Sequence, residues 1–235
     1  MKKHIPNAIT CCNLMSGCMA TMWAVFGLFQ SALLFIIIGA VFDFFDGFAA
    51  RLLHVSSPIG KELDSLADVV TFGVAPTTML CMWVAYHSNI GGPYIGMLPL
   101  LMAAFSALRL AKFNLDERQT MGFIGMPTPA NALFWGALLT GWGRQLEQFQ
   151  PAVPVLLVLM LLSCYLLVSE IPMFALKFKT WDWKNNAVRY IFLITSLFLL
   201  VVFPLTGLMD SVQAVPIVIA WYLLLSVATA HKGKA

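Results

Sequence analysis

Long apolar segments, each about as long as a bilayer is thick, recur along the whole chain. A helix needs about 20 apolar residues to cross the hydrocarbon core, and only helices or closed barrels can cross it with every backbone group hydrogen-bonded. The apolar segments are 8–28, 31–53, 58–86, 93–113, 127–143, 151–176, 188–208 and 212–230. The sequence therefore predicts an all-α integral membrane protein with about eight transmembrane helices, forming a single membrane domain over 1–235.

The composition agrees with this fold class. Hydrophobic residues make up 60% of the chain and charged residues only 11%, which is too little charge to cover the surface of a soluble domain. The net charge of +3 gives no reason to expect a nucleic-acid partner. The first apolar segment follows Met1-Lys2-Lys3-His4 without a small-residue cleavage site, so we expect it to be retained as a helix.

The positive charges predict the orientation. With the N-terminus in the cytoplasm and eight crossings, thirteen of the fourteen Lys and Arg residues fall on the cytoplasmic side, and the C-terminus returns there. Only Arg144 falls outside. The thirteen are Lys2, Lys3, Arg51, Lys61, Arg109, Lys112, Arg118, Lys177, Lys179, Lys184, Arg189, Lys232 and Lys234. The pattern predicts a multi-pass protein of the cell (inner) membrane, with the loop between segments two and three facing the cytoplasm.

Four aspartates lie at the junction of segments two and three, where a membrane protein normally has none. A carboxylate near hydrocarbon is costly and usually marks a functional site. Asp43 and Asp46 share one helical face, and Asp64 and Asp68 share a face of the next helix. Ser57 is the predicted N-cap of that helix. If the two faces oppose each other, the sequence predicts a pocket of oxygen ligands.

Such a pocket suits hard divalent cations, Mg²⁺ or Mn²⁺. Shared carboxylates favour two ions about 3.5–4 Å apart, an arrangement that clamps phosphates during displacement. Two alternatives remain open at this point: a metal-free ion-pair network with Arg51 and Lys61, and a cation-coupled transporter. The five cysteines and four histidines show no metal-ligand spacing.

The acids stand in a pattern of eight defined residues, Asp43-x2-Asp46-Gly47-x2-Ala50-Arg51-x8-Gly60-x3-Asp64-x3-Asp68. This pattern resembles the signature of the CDP-alcohol phosphotransferases, membrane enzymes that transfer a phosphatidyl or related group from a CDP-activated lipid to an alcohol and release CMP. Further stretches resemble the members that use serine. They are 5–10 with Asn13, 71–76, 109–114 and 125–130. The resemblance covers about residues 1–135 and implies a six-helix core, here 1–176, with 177–235 as an appended helix pair.

The resemblance also implies roles for single residues. Asp43, Asp46 and Asp64 would hold one cation and Asp43, Asp64 and Asp68 the second, with Asp68 also the general base. The CDP-lipid would contact Asn7, Thr10, Gly47, Arg51, Ser57 and Gly60. The substrates would be CDP-diacylglycerol and L-serine within a lipid bilayer, and a homodimer is expected.

The acceptor pocket is a separate expectation. Serine carries a carboxylate and an ammonium group, and Arg109, Lys112 and Asn114 at the cytoplasmic end of segment four are the candidates to bind it. Glu170 is assigned to the interior of segment six, as a structural partner of a cation or as a ligand of the ammonium. Glycerol 3-phosphate and inositol phosphate remain alternative acceptors, although few cations lie near the motif to bind a dianion.

Overall fold

The computed structural model of this chain describes residues 4–55, 57–88, 92–116, 123–174, 176 and 182–230. Seven of the thirteen cations used for the orientation lie outside these residues. The helices are α1 (His4–Val25), α2 (Phe29–Leu52), α3 (Pro58–Asp68), α4 (Ala75–His87), α5 (Leu100–Leu115), α6 (Thr128–Gly141), α7 (Gly143–Gln148), α8 (Ala152–Val168), α9 (Trp183–Leu197) and α10 (Ser211–Ala230). Two-residue strands β1 (Phe123–Ile124) and β2 (Pro172–Met173) pair antiparallel. The described residues are therefore all-α but for one short ladder.

Among the described residues, six helical stretches are long and apolar enough to cross a membrane. They are His4–Val25, Phe29–Leu52, Pro58–His87, Tyr94–Leu115, Asn186–Thr206 and Ser211–Thr229. The other two predicted spans correspond to α6, with 14 residues, and α8, with 17. The structure thus supports a helical membrane protein, and six of the eight predicted crossings meet the length criterion.

α1 and α2 form a tight antiparallel hairpin. Its turn lies at 26–28, slightly before the gap at 29–30 between the first two predicted segments. Gly27 has a φ of 73°, a left-handed conformation that glycine adopts without a steric penalty.

The helical stretch Pro58–His87 is continuous but not uniform. Ser57 caps its start, since its hydroxyl accepts a hydrogen bond from the backbone N–H of Gly60 at 3.0 Å, and Pro58 occupies the first turn. This cap confirms the sequence prediction. Directly after Asp68 the backbone widens into a π-helical segment, Val69–Val74, before α4 continues. π-segments within α-helices occur frequently at functional sites.

The main core lies where α4 and α6 meet the α1–α2 hairpin. Trp135 of α6 is fully enclosed there, with Phe72 and Met79 of the central helical stretch. A smaller apolar cluster joins α10 to the β1–β2 ladder through Met126, Met173 and Ile219. α6 has only 14 residues, but other helices surround it, so its two ends are covered by protein and not by lipid.

Segment six differs most from its prediction. α8 ends at Val168, where the chain turns to form β2, so that Glu170 lies in a connection and not inside a span. Pro127, the first residue of predicted segment five, is the N-cap residue of α6. The early end of α8 accompanies the ladder, in which Phe123 pairs with Met173.

Candidate active site

Three of the four aspartates meet in space. Single carboxylate oxygens of Asp43, Asp64 and Asp68 all lie within 4.8 Å of one another. Asp43 comes from the second half of α2, whereas Asp64 and Asp68 lie one turn apart on α3. The two acidic faces therefore oppose each other as the helical spacing predicts.

α1 orients two of these acids. The hydroxyl of Thr10 donates a hydrogen bond to Asp46 Oδ2 at 2.6 Å, and the Asn13 amide donates to Asp68 Oδ1 at 3.1 Å. Thr10, Asn13, Asp46 and Asp68 are all buried. α1 thus completes the site from a third side.

Close packing holds the π-helical segment against α1. Thr71 donates a hydrogen bond to the backbone oxygen of Asn13 at 3.0 Å. A β-carbon at Gly17 would lie 2.7 Å from Thr71 Cα, and one at Gly39 would lie 3.0 Å from Asn13 Oδ1. The two glycines let three helices approach at the level of Asp68.

No lysine or arginine in the described part of the chain forms an ion pair with these four acids. Lys61, a proposed partner, instead donates to the backbone oxygen of Asn114 at 2.8 Å. The ion-pair alternative is therefore wrong for the described residues. Asp64 Oδ1 is buried and has no hydrogen-bond partner among them. Clustered carboxylates without compensating charge fit hard divalent cations, which would supply the missing positive charge.

A pocket of about 260 Å³ opens beside the acids. Asp46 and Asp64 line it together with four of the residues expected to bind the CDP-lipid: Asn7, Thr10, Ser57 and Gly60. Gly60 is tightly enclosed, since a β-carbon there would lie 3.0 Å from Ser57 Oγ and 3.1 Å from Asn7 Oδ1.

The other two expected CDP-lipid residues are not among the lining residues. Arg51 is exposed in the last turn of α2. A β-carbon on Gly47 would meet nothing within 4 Å. Packing within the chain therefore does not require glycine at position 47.

A second, small pocket of about 40 Å³ lies at the end of α5. Arg109 and Lys112 line it with Asp116, Ser169 and Glu170. Arg109 is buried, its guanidinium lies 4.9 Å from the Phe113 ring centroid, and it interacts electrostatically with Asp68. Asn114 is not among the lining residues, because its amide donates to Ser65 Oγ on α3 at 2.7 Å. The structure thus brings together Arg109, Lys112 and Glu170, but not Asn114.

A family model described as CDP-alcohol phosphatidyltransferase matches residues 3–202. The chain belongs to this family. Members of the family generally use divalent metal ions, and the clustered aspartates could hold one. The match gives no support to the transporter alternative.

Three relatives in this family carry the name CDP-diacylglycerol--serine O-phosphatidyltransferase. The one from Bacillus subtilis is 46% identical over 127 residues, covering 54% of this chain and 70% of the relative. The one from Methanocaldococcus jannaschii is 30% identical over 205 residues, 87% of each chain. The one from Helicobacter pylori strain J99 is 39% identical over 131 residues, so that this chain spans about half of that relative's length, 54%.

Asn13 has no role predicted from the sequence, although this residue contacts one of the four acids that carry the family resemblance. Asn13 is fully buried and holds Asp68 through its amide, while its Oδ1 has no hydrogen-bond partner among the described residues. The available signal was an amide well inside an apolar helix, since polar groups within a membrane normally have a specific partner. The partner itself could not be read from the sequence because it lies 55 residues away.

Proposed function

We propose that this chain transfers the phosphatidyl group from CDP-diacylglycerol to the hydroxyl of L-serine, giving phosphatidylserine and CMP. The observation that carries the proposal is the cluster of Asp43, Asp64 and Asp68 oxygens within 4.8 Å, next to a pocket that Asp46 and Asp64 line. The names of the relatives supply the acceptor and the donor.

The aspartates would hold two cations, Mg²⁺ or Mn²⁺. Asp43, Asp46 and Asp64 are the proposed ligands of one, and Asp43, Asp64 and Asp68 those of the other. The bound cations would neutralise the negative charge of the pyrophosphate and of the departing CMP. The buried, unpartnered Asp64 Oδ1 supports this assignment, since an ion would satisfy it.

The 260 Å³ pocket is the proposed site of the CDP group. Asn7, Thr10 and Ser57 offer polar atoms to the nucleotide. Gly60 keeps the wall open near them, because a side chain there would collide with Ser57 and Asn7. Gly47 and Arg51 belong to the same proposed site, with the open space at Gly47 left for the substrate.

Asp68 is the proposed general base. A serine hydroxyl is a poor nucleophile until a positioned base takes its proton. Asp68 would accept that proton as the serine oxygen forms its bond to phosphorus and the bond from phosphorus to the CMP oxygen breaks. The Asn13 amide donates to Asp68 Oδ1, which leaves Oδ2 free to receive the proton.

The small pocket at the end of α5 supports serine as the acceptor. Two cations, Arg109 and Lys112, line it together with two acids, Asp116 and Glu170. Mixed charges suit a zwitterion, with the cations on the carboxylate and an acid on the ammonium. Glycerol 3-phosphate or inositol phosphate would bring a dianion next to those acids. Asn114, the third residue expected to bind serine, lies on α5 outside this pocket and donates instead to Ser65 Oγ, on the residue after Asp64.

The proposal extends to membrane placement. The chain would cross the inner membrane eight times, with both termini and the acids on the cytoplasmic side, and would form a homodimer. The core 1–176 would carry the chemistry and 177–235 would form the appended pair. The apolar character of α6 and α8 supports two further crossings, since protein around a short helix compensates for its length.

One assay tests the reaction. Purified protein receives CDP-diacylglycerol and Mg²⁺ or Mn²⁺ with serine, glycerol 3-phosphate or inositol phosphate, and CMP release and lipid products are measured. We expect CMP release only when serine is the acceptor, and we expect the amount of phosphatidylserine formed to equal the amount of CMP released. Equal release with either phosphate acceptor would refute serine specificity. Glu62→Gln, an exposed acid on α3 outside the pocket lining, is the matched control and should keep full activity.

A further inference from the structure

A third cavity, larger than the two at the acids and at the end of α5, lies at the end of the helix bundle opposite to the acids. It encloses about 700 Å³ between the start of α2, the end of α6, α7 and the start of α10. Gln30 lines it on α2, 16 residues before Asp46 on the same helix. At 1.5 Å per residue the two positions are about 24 Å apart, close to the thickness of the hydrocarbon core. The cavity is therefore separate from the catalytic acids and lies near the other membrane boundary.

Hydrogen bonds between helices build the wall of this cavity. The Gln213 amide donates to the Gly141 backbone oxygen at 2.8 Å, and the Trp142 indole donates to the Gln213 backbone oxygen at 3.0 Å. Thr140 donates to the Phe29 backbone oxygen at 3.3 Å. α2, α6 and α10 are thus tied together beside the cavity, which makes its shape a property of the fold.

The rim carries one charge of each sign. Arg144 of α7 and Asp210 before α10 both line the cavity and are both exposed. Neither forms an ion pair with a residue in the described parts of the chain. Arg144 is also the one residue among the fourteen lysines and arginines that the sequence places on this side of the membrane. A guanidinium presents a planar fork that matches phosphate oxygens, and a carboxylate accepts hydrogen bonds from an ammonium group.

Below the rim the lining changes from polar to apolar. Leu33, Leu34 and Ile37 follow Gln30 on α2, toward the middle of the membrane. Leu34 and Ile37 are exposed, at 55% and 43%, so they offer apolar surface to an occupant. A polar rim above an apolar wall matches a molecule with a charged head and a hydrocarbon tail.

We propose that this cavity binds a phospholipid with a zwitterionic head, one that carries both a phosphate and a primary ammonium group. Arg144 binds the phosphate, Asp210 binds the ammonium, and an acyl chain lies along Leu33, Leu34 and Ile37. The site is independent of the proposed transfer reaction, because it shares no lining residue with the pocket at the acids.

The charges favour this occupant over two others. A phosphatidylglycerol head has no cation, so its binding would leave Asp210 unpaired next to a second negative charge. Free phosphate would meet Arg144 but would leave the apolar wall in contact with water, at a cost proportional to its area.

The test uses the full-length protein in bilayer nanodiscs of equal parts phosphatidylethanolamine and phosphatidylglycerol. Retained lipid is counted by native mass spectrometry after gentle release. We expect retained phosphatidylethanolamine in excess over phosphatidylglycerol. Arg144→Gln should lower phosphatidylethanolamine retention about tenfold. A hydrogen bond to a charged group contributes enough free energy to change a binding constant by about this factor or more. Asp210→Asn should remove the preference between the two lipids.

Two further variants complete the test. Glu147→Gln neutralises an acid on α7 that does not line the cavity, and it should retain lipid as the parent does. Leu34→Trp fills the apolar wall without changing charge and should also lower retention. Equal retention of both lipids by the parent would overturn the proposal, as would unchanged retention in Arg144→Gln and Leu34→Trp. Displacement of the lipid by millimolar inorganic phosphate would overturn the acyl-chain contact.

Discussion

Asp68 differs from the other clustered acids in its surroundings. It is buried, accepts a hydrogen bond from Asn13 and interacts electrostatically with Arg109 of the small α5 pocket. Asp46 and Asp64 line the pocket of about 260 Å³ beside the acids, whereas Asp68 does not. These contacts associate Asp68 with the proposed serine pocket, and Asp46 and Asp64 with the proposed CDP pocket.

Asp68→Asn should therefore slow the reaction much more than it weakens CDP-lipid binding. Losing a general base costs about 10²–10⁴-fold in rate. The measurement pairs single-turnover CMP release with equilibrium binding of CDP-diacylglycerol, and Glu62→Gln serves as the control. Turnover near the parent rate would mean that another group takes the proton.

Gly47 offers a second test, because a methyl group added there would contact nothing within 4 Å and should not disturb the fold. Gly47→Ala should keep or slightly raise the unfolding temperature, because alanine favours a helix over glycine by about 1 kcal/mol. If the space belongs to the substrate, the same change should raise the KM for CDP-diacylglycerol. An unchanged KM would remove Gly47 from the proposed site.

The helical stretch Pro58–His87 illustrates what sequence can and cannot predict about an element. The cap at Ser57 and the shared face of Asp64 and Asp68 follow from local rules, and both are confirmed. The π-helical segment Val69–Val74 was not predicted. Its Thr71 is held by the Asn13 carbonyl and sits against Gly17, contacts that depend on α1 and not on local sequence.

Close packing at Gly17 can be tested directly. Gly17→Ala should destabilise the protein by about 1–3 kcal/mol, because the added carbon collides with the backbone at Thr71, which cannot rotate away. Gly143→Ala, where a β-carbon meets nothing within 4 Å, is the matched control. Thermal unfolding in detergent compares them. Equal unfolding temperatures would show that α1 is not packed so closely against the π-helical segment.

In the second half of the chain, the helix boundaries differ from those that the hydropathy pattern predicts. Apolar runs predict where a helix can be, but not where it ends. Segment 151–176 is apolar almost throughout, yet α8 stops at Val168 because Pro172 and Met173 pair with β1. The turn after α8 brings Glu170 to the small pocket that Arg109 also lines. These two residues are far apart in the sequence, so their proximity could not be derived from residue spacing.

The proposed topology predicts opposite labelling of two exposed acids. In a background without the five native cysteines, Glu62→Cys on α3 should react with an impermeant reagent only from the cytoplasmic side. Glu147→Cys on α7 should react only from the outside. Labelling of both from one side would contradict the assignment of the two ends of the bundle.

At the scale of the whole molecule, the clustered carboxylates are proposed to act through divalent cations in a serine-dependent reaction. The most direct test of this role is CMP release from CDP-diacylglycerol and serine by protein stripped of metal with a chelator, before and after Mg²⁺ or Mn²⁺ is restored. We predict background release in the stripped protein and recovery with either ion. Recovery should be absent in Asp43→Asn and Asp64→Asn, because each residue is a proposed ligand of both ions. Undiminished serine-dependent CMP release after exhaustive metal removal would contradict the account.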